Sequence, residues 1–440
     1  MTQKIVSIVR YEKPRISVQK AVELSGGFAA ISPSDKVFIK PNIVFWTPTA
    51  AFPKWGVITT SRVVQDMVEL LKDKGVSDIS IGEGTVVMDP KDRRTQIDAF
   101  ACLGYRVLEK RYGVKLIPVL ERPFRRIDLG DGISLNFNVD ILESDHVVDL
   151  PVLKTHAQTV VSLGIKNLKG TIDLKSRKSC HSADEKRDLN FQVARLAHPM
   201  PPIFTLIDGI YTNERGPSYD GRIRRSDILI ASGDILSADL VGARVLGHLP
   251  ADVPHLAHAA RNHGRPLDLS DISIVGESID TVACLHRFDF PYNGEGTLPL
   301  NFERIGVTGL TYRKYDLTLC TYCSFLNGAV LTAVARAWKG APWEDVEILT
   351  GKSAAPTPGM KKTVLLGRCI YQANKNHPDI EEMIAVKGCP PRPEDILSAL
   401  HRAGIEADAA IFENLDRLPE SFLKRYEGRP EFDESFFRIE

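Results

Sequence analysis

The sequence predicts an α/β protein: one or more doubly wound, largely parallel sheets, followed by a small C-terminal α/β domain. Three observations predict it. Short apolar, β-branched runs alternate with stretches of helical periodicity through the first half of the chain, the rhythm of a parallel sheet covered on both faces. Polar residues stand where those runs end, as at Lys40, Glu83 and Lys154, and that edge is where such sheets place ligands. In the last third, four cysteines stand at turns among short strand-like runs.

Taken in order, Ile5–Tyr11 reads as a strand and Val18–Phe28 as a helix. Lys36–Val44 is apolar and β-branched, and its Pro-Asn marks where that strand ends. Thr60–Lys74 carries Val63, Val64, Met67, Leu70 and Leu71 at helical spacing, with Gly75 as its stop. Ile79–Ile81 is a strand running into Gly82-Glu83-Gly84, Thr95–Tyr112 a single helix and Lys115–Leu120 a strand. Phe124–Asn138 reads as a hairpin turning at Gly130-Asp131-Gly132, and His146–Lys154 as one strand. Thr171–Arg187 is rich in Lys, Arg, Ser and Asp, and we expect a mobile loop over a cleft, because nothing in it forms an apolar face. Ile203–Ile210, Asp227–Ser232, helix Ser237–Leu246, Ile272–Val275 and Phe302–Leu310 continue the pattern. Leu317–Cys320 then leads into a helix over Phe325–Trp338. Val346–Thr350, Thr363–Leu366 and Met383–Val386 are short strands, and Glu394–Ala403 closes the domain. The expected division is a core over 1–311, with an internal boundary near 200–235, and a cysteine-bearing domain over 312–440. The final stretch is expected to lie along the surface.

The chain has 440 residues, enough for about three domains and for a core that needs no disulfides. Lys plus Arg and Asp plus Glu are both 56, which excludes a histone-like nucleic-acid binder and an acidic disordered tail. No apolar run approaches the ~18 residues of a membrane span. The N-terminal apolar stretch is too short for a signal peptide, so a cytoplasmic protein without membrane or nucleic-acid partners is expected. Seven cysteines in such a chain do not suggest a disulfide framework.

Cys320 and Cys323 form a Cys-x-x-Cys before a helix, where the helix N-terminus favours thiolate. Cys369 and Cys389 each follow a strand-like run. If those strands are parallel, both thiols emerge on the carboxyl edge and four cysteines converge from three loops. Four thiolates suit a 4Fe–4S cluster or zinc, and Cys389-Pro390 together with the single Cys-x-x-Cys favours the cluster. A redox dithiol, or cysteines without a metal, are the remaining readings.

Lys40, Asn42, Glu83, Lys154 and His156 stand at predicted strand ends. Lys166, Asn167 and Lys169 follow in Gly164–Gly170, with the two lysines on one face of a helical turn. Together these residues make a cationic pocket for a phosphate or carboxylate ligand. Lys154, His156 and Lys166 are the expected catalytic groups; Lys40, Asn42, Glu83, Asn167, Lys169 and Asp208 are the expected substrate contacts. Taken singly, each lysine reads as ordinary surface charge.

The ordered series Phe38–Val44 (FIKPNIV), Ile81–Gly84 (IGEG), Leu150–His156 (LPVLKTH), Gly164–Gly170 (GIKNLKG), Ile207–Ile210 (IDGI), Glu214–Pro217 (ERGP) and Ser237–Gly247 (SADLVGARVLG) resembles the uncharacterised family called "domain of unknown function 362". Members often carry iron–sulfur ligand cysteines, commonly as a dense ferredoxin-like run. This chain has four dispersed cysteines instead. The resulting expectation is an anaerobic-type iron–sulfur protein, a redox enzyme or electron carrier acting on a small anionic substrate, with an electron-transfer protein as partner and homo-oligomerisation left open. The alternatives are a non-redox isomerase or ligase with a structural metal, and a protein that delivers a metal or cluster.

Overall fold

The computed structural model describes residues 3–87, 89 and 91–439. They form two compact units: residues 1–176, 190–289 and 419–440 make the first, and 177–189 with 290–418 the second.

The first unit is built on a ten-stranded sheet. Its early strands are β1 (Lys4–Arg10), β2 (Lys36–Pro41), β3 (Asp78–Glu83) and β4 (Lys115–Pro118). A separate hairpin, β5 (Phe124–Asp128) and β6 (Ser134–Asn138), turns where expected. Then follow β7 (His146–Leu150), β8 (Val152–His156), β9 (Val160–Ser162), β10 (Ile203–Glu214), β11 (Arg222–Ser232) and β12 (Ile272–Gly276). The order is β12-β1-β11-β10-β7-β2-β3-β4, with β8 on β10 and β9 on β8. The run from β10 to β4 is parallel, and β11 pairs antiparallel with both its neighbours. The central strands β2 and β7 are buried nearly throughout, as strands covered on both faces must be. Helix Ser61–Asp73 buries Val63, Val64, Met67, Val68 and Leu71, the apolar side of its 3.6-residue period.

The structure corrects several expectations. His146–Lys154 is two strands, because Pro151 has no N–H for the ladder. The helix expected over Thr95–Tyr112 breaks at Gly104, which adopts φ 79 between Arg94–Cys102 and Tyr105–Tyr112. Residues 200–235 hold no boundary: β10 and β11 pair along it. Thr171–Arg187 is not a bare loop. It contains helix Leu174–Ser179 and a short turn of helix at Glu185–Arg187, and it buries Thr171, Ile172, Cys180 and His181. Residues 419–440 do not merely follow the surface. Tyr426, Phe432 and Phe437 are buried in the first unit, with Phe432 packed on Trp55 and Tyr211.

The second unit has a four-stranded sheet, β13 (Leu310–Tyr312), β14 (Val346–Leu349), β15 (Lys362–Leu366) and β16 (Glu382–Val386), adjacent in that order and all parallel. It begins near residue 290 rather than 312. Leu300–Arg304 is helical where a strand was expected, and helix Thr321–Ala337 connects β13 to β14.

Candidate functional site

In the first unit the chain builds from β2 outward through β3 and β4, then places β7 and β10 on the other side of β2. At such a switch point the connections leave on opposite sides and open a crevice at the carboxyl edge. Lys40 on β2 stands in register with Asp149 on β7, and Glu83 ends β3.

Lys40 Nζ donates to Glu83 Oε2 at 2.7 Å, to the Pro41 carbonyl at 2.7 Å and to Asn167 Oδ1 at 3.3 Å. The Glu83 carboxylate also accepts the N–H groups of Ile43 at 2.9 Å and Gly84 at 2.7 Å. Lys154 Nζ donates to Asn42 Oδ1 at 2.7 Å, to the Val57 carbonyl at 2.8 Å and to the Pro217 carbonyl at 3.0 Å. Asn42 Nδ2 donates to Asn167 Oδ1 at 2.9 Å, and Asn167 Nδ2 to Asp149 Oδ1 at 2.8 Å. Six side chains from five segments thus form one buried network. Each lysine meets three acceptors, which matches the three N–H donors of an ammonium. Burial nevertheless pushes Lys154 down to about 7, a shift that the Glu83 charge resists and the Lys40 charge reinforces.

Asp149, within the network, and two aspartates beside it are all raised by burial. Burial lifts Asp149 well above the carboxylate range, and its Oδ2 has no hydrogen-bond partner among the described residues. Burial lifts Asp208 to about 6 against the pull of the Thr60 and Ile210 N–H groups. Asp239 rises to about 7 although it accepts N–H from Gly164 at 2.7 Å and Ile165 at 2.9 Å. Asp239 therefore anchors the Gly164–Thr171 segment. Gly170 completes the fit, since a Cβ there would overlap the Glu83 carboxylate.

The four lysines expected in one open pocket divide into two kinds. Lys40 and Lys154 point inward and give their hydrogens to protein acceptors, because a buried charge needs such partners. Lys166 and Lys169 are half-buried, as is His156, whose Nδ1 accepts the Gln158 N–H at 3.1 Å. Cavities of about 740 Å³ beside Leu249 and Ile279 and about 550 Å³ beside Trp55 and Phe432 include none of these residues.

In the second unit, Cys320 is the N-cap of helix Thr321–Ala337 and Cys323 lies in its first turn. Cys369 and Cys389 follow the ends of β15 and β16 on the shared carboxyl edge. The Arg368 N–H donates to the Gly388 carbonyl at 3.0 Å, tying those two loops together. A Cβ on Gly367 would stand 3.5 Å from Cys323 Sγ, so the β15 loop also abuts the Cys-x-x-Cys. The hydrogen bond between Cys320 and Cys323 lowers the first thiol and raises the second. The N–H groups of Cys323 and Tyr322 and the Lys352 ammonium also favour a Cys320 thiolate. The Cys369 and Cys389 charges reach Cys323 as well. Among the described residues, no three His, Cys, Asp or Glu side chains are gathered as ligands of a single ion. A cubane cluster asks for something different: its thiolates bind four separate irons and stand farther apart. Four thiols on three adjoining loops fit that donor set. Cys102 and Cys284 are exposed residues of the first unit, and Cys180 is buried in the second, in the segment whose His181 meets the Leu317 carbonyl.

The segment expected to cover the lysines belongs largely to this second unit. His181 Nδ1 lies 2.9 Å from the Leu317 carbonyl, and Lys178 Nζ lies 4.7 Å from the centre of the Tyr322 ring. Sequence reasoning missed Asp149 and Asp239. Their signal was an acid inside an apolar run, in HVVDL and in SADLV.

Among solved structures, the lactate racemase apoprotein from Thermoanaerobacterium thermosaccharolyticum matches with a TM-score of 0.37 and 14% identity, over 56% of this chain and 57% of that one. The chain thus spans little more than half of that structure. The curated "Thylakoid-associated protein sll1697" of Synechocystis is 26% identical over 273 residues, covering 59% of this chain and 79% of the relative. Residues 37–244, which hold the whole buried network, match the family described as Domain of unknown function (DUF362), the family that the motif series resembles.

Proposed function

We propose that the chain is a cytoplasmic iron–sulfur protein, a redox enzyme or electron carrier whose second unit mounts a 4Fe–4S cluster. The observation that supports this reading most directly is the meeting of Cys320, Cys323, Cys369 and Cys389 on one carboxyl sheet edge. Such a cluster supplies one-electron chemistry when bound. The chain's own part is to hold four thiolates, favoured at Cys320 by a helix N-terminus and by Lys352.

In the first unit, the proposed substrate is a small carboxylate- or phosphate-bearing molecule. Lys166, Lys169 and His156, all half-buried, would contact it, and the inner network of Lys40, Glu83, Asn42, Asn167 and Lys154 would hold their segments in place. Protein purified without oxygen should be brown and contain iron and labile sulfide. Serine at any of the four cysteines should lower or alter that content, whereas Cys102→Ser should not. Colourless protein with stoichiometric zinc would overturn the cluster reading and favour a structural metal.

A further inference from the structure

We propose that the face of the second unit bearing Cys369 and Cys389 is the docking surface for an acidic electron-carrier protein. The proposal rests on the iron–sulfur reading above and adds the partner to it.

Four cations surround the cysteines. Arg368 directly precedes Cys369, Lys387 lies two residues before Cys389, and all four of these side chains are exposed. Lys352 is half-buried and donates to the His181 carbonyl, and Lys178 lies over Tyr322, inside the Cys-x-x-Cys. Among the described residues none of the four forms an ion pair with a carboxylate. Other cations of the unit do: Arg392 binds Glu394 and Asp395, Lys362 binds Glu344, and Arg313 lies 3.5 Å from Glu347. Asp316, near the Cys-x-x-Cys, is engaged by Thr318. Exposed acids stand at the opposite, amino edge, where Glu344 and Asp345 precede β14, Glu381 precedes β16 and Glu382 begins it; on the cysteine side, Glu394 and Asp395 are held by Arg392.

The two halves of this cationic set have different tasks. Four thiolates around a cluster carry net negative charge, and the half-buried Lys352 and Lys178 stand where they offset it. Arg368 and Lys387 remain exposed beside the two exposed cysteines. A carrier must approach where the ligands reach the surface, and two cations there that have no carboxylate partner among the described residues, Lys387 resting over the Tyr371 ring, attract carboxylates while turning away a basic protein. The exchange is one electron, with no bond made or broken, and the carrier supplies or accepts it.

The test is calorimetric titration of anaerobically purified protein with an acidic plant-type ferredoxin, using basic mitochondrial cytochrome c as the charge control. Ferredoxin should bind at low salt, and raising ionic strength from roughly 20 mM to 150 mM should weaken it about tenfold. R368E/K387E should lose about tenfold or more at low salt, with iron, sulfide, visible spectrum and melting unchanged. R368K/K387R should bind as the parent does. If charge reversal disturbs the iron content, R368Q/K387Q provides the same comparison. Tighter binding of cytochrome c, or ferredoxin affinity indifferent to the charge changes, would overturn the docking proposal while brown protein left the cluster reading standing. Colourless protein would overturn that reading, and the docking proposal with it.

Discussion

Lys40 and Glu83 form an ion pair with essentially no access to solvent, and that fixes what replacing either one does. Removing a single partner strands a charge in a medium that cannot solvate it. Lys40→Met should therefore cost about 3–5 kcal/mol in urea unfolding, and Lys40→Met with Glu83→Leu should recover part of that loss. A loss under ~0.5 kcal/mol would mean that the carboxylate finds water in the native state. Asp239 sets a second residue-scale expectation. Its folded value is about 7, while an unfolded aspartate lies near ~3.9. Between those values the folded chain keeps a proton that the unfolded chain has released. Stability from this group is thus complete below about pH 4 and is lost as pH rises through 7, by at most ~1.4 kcal/mol per pH unit. Lys154, lowered to about 7, acts in the other direction, so stability from it rises between about pH 7 and 10. Urea midpoints at pH 5 and pH 7.5 should show a smaller fall in Asp239→Asn than in the parent. An equal fall in both would assign the pH dependence elsewhere.

At the scale of elements, strand ends were readable because proline, asparagine and glycine mark them. Lys40-Pro41-Asn42 and Gly82-Glu83-Gly84 do close β2 and β3. What those ends touch was not readable. Lys40 meets Glu83 only because β2 and β3 pair in parallel register, a contact between segments 43 residues apart. Pairing also decided that the lysines divide into buried and half-buried sets, since a lysine's letter is the same in either place. The cysteine edge was more legible: strand-end cysteines need only parallel strands to meet, and β14 to β16 are parallel. Where local chemistry was misread, the cause is visible. Pro151 and Gly104 were breaks inside runs whose apolar period otherwise looked continuous. Gly104 offers a direct check. Its φ is 79, and a Cβ would come within 3.0 Å of Ile439. Gly104→Ala should cost about 1–2 kcal/mol by thermal melting, because an L-residue is strained there. A neutral or stabilising effect would mean that the two helices can merge.

At the scale of the whole molecule, the chain returns to its first unit after completing its second, and residues 419–440 are the return. Their composition, charged and aromatic, reads as surface, yet the aromatics are inside. Tyr426 lies 4.6 Å from Phe432 between ring centres, and Phe432 lies 5.3 Å from Trp55. The Trp55 Nε1–H donates to the Asp433 carbonyl at 3.0 Å, and the Tyr211 hydroxyl to the Glu431 carbonyl at 3.0 Å. Lys54 pairs with Glu434 at 2.7 Å on the rim. Burying one large apolar side chain stabilises by about 1.5–3 kcal/mol, so Tyr426, Phe432 and Phe437 together matter on the order of 5 kcal/mol. A tail lying on the surface would contribute less than ~0.5 kcal/mol. Ending the chain at Leu418 distinguishes the two. With Trp338 and Trp343 replaced by Phe, the remaining fluorescence comes from Trp46 and Trp55, both in the first unit. In that background the truncated chain should unfold at markedly lower urea, with Trp55 emission already shifted red in the native baseline as its ring meets water. In the converse background, where Trp338 and Trp343 report, the second unit's transition should stay where it was. An unmoved Trp55 midpoint would show that this strap adds contacts but no stability.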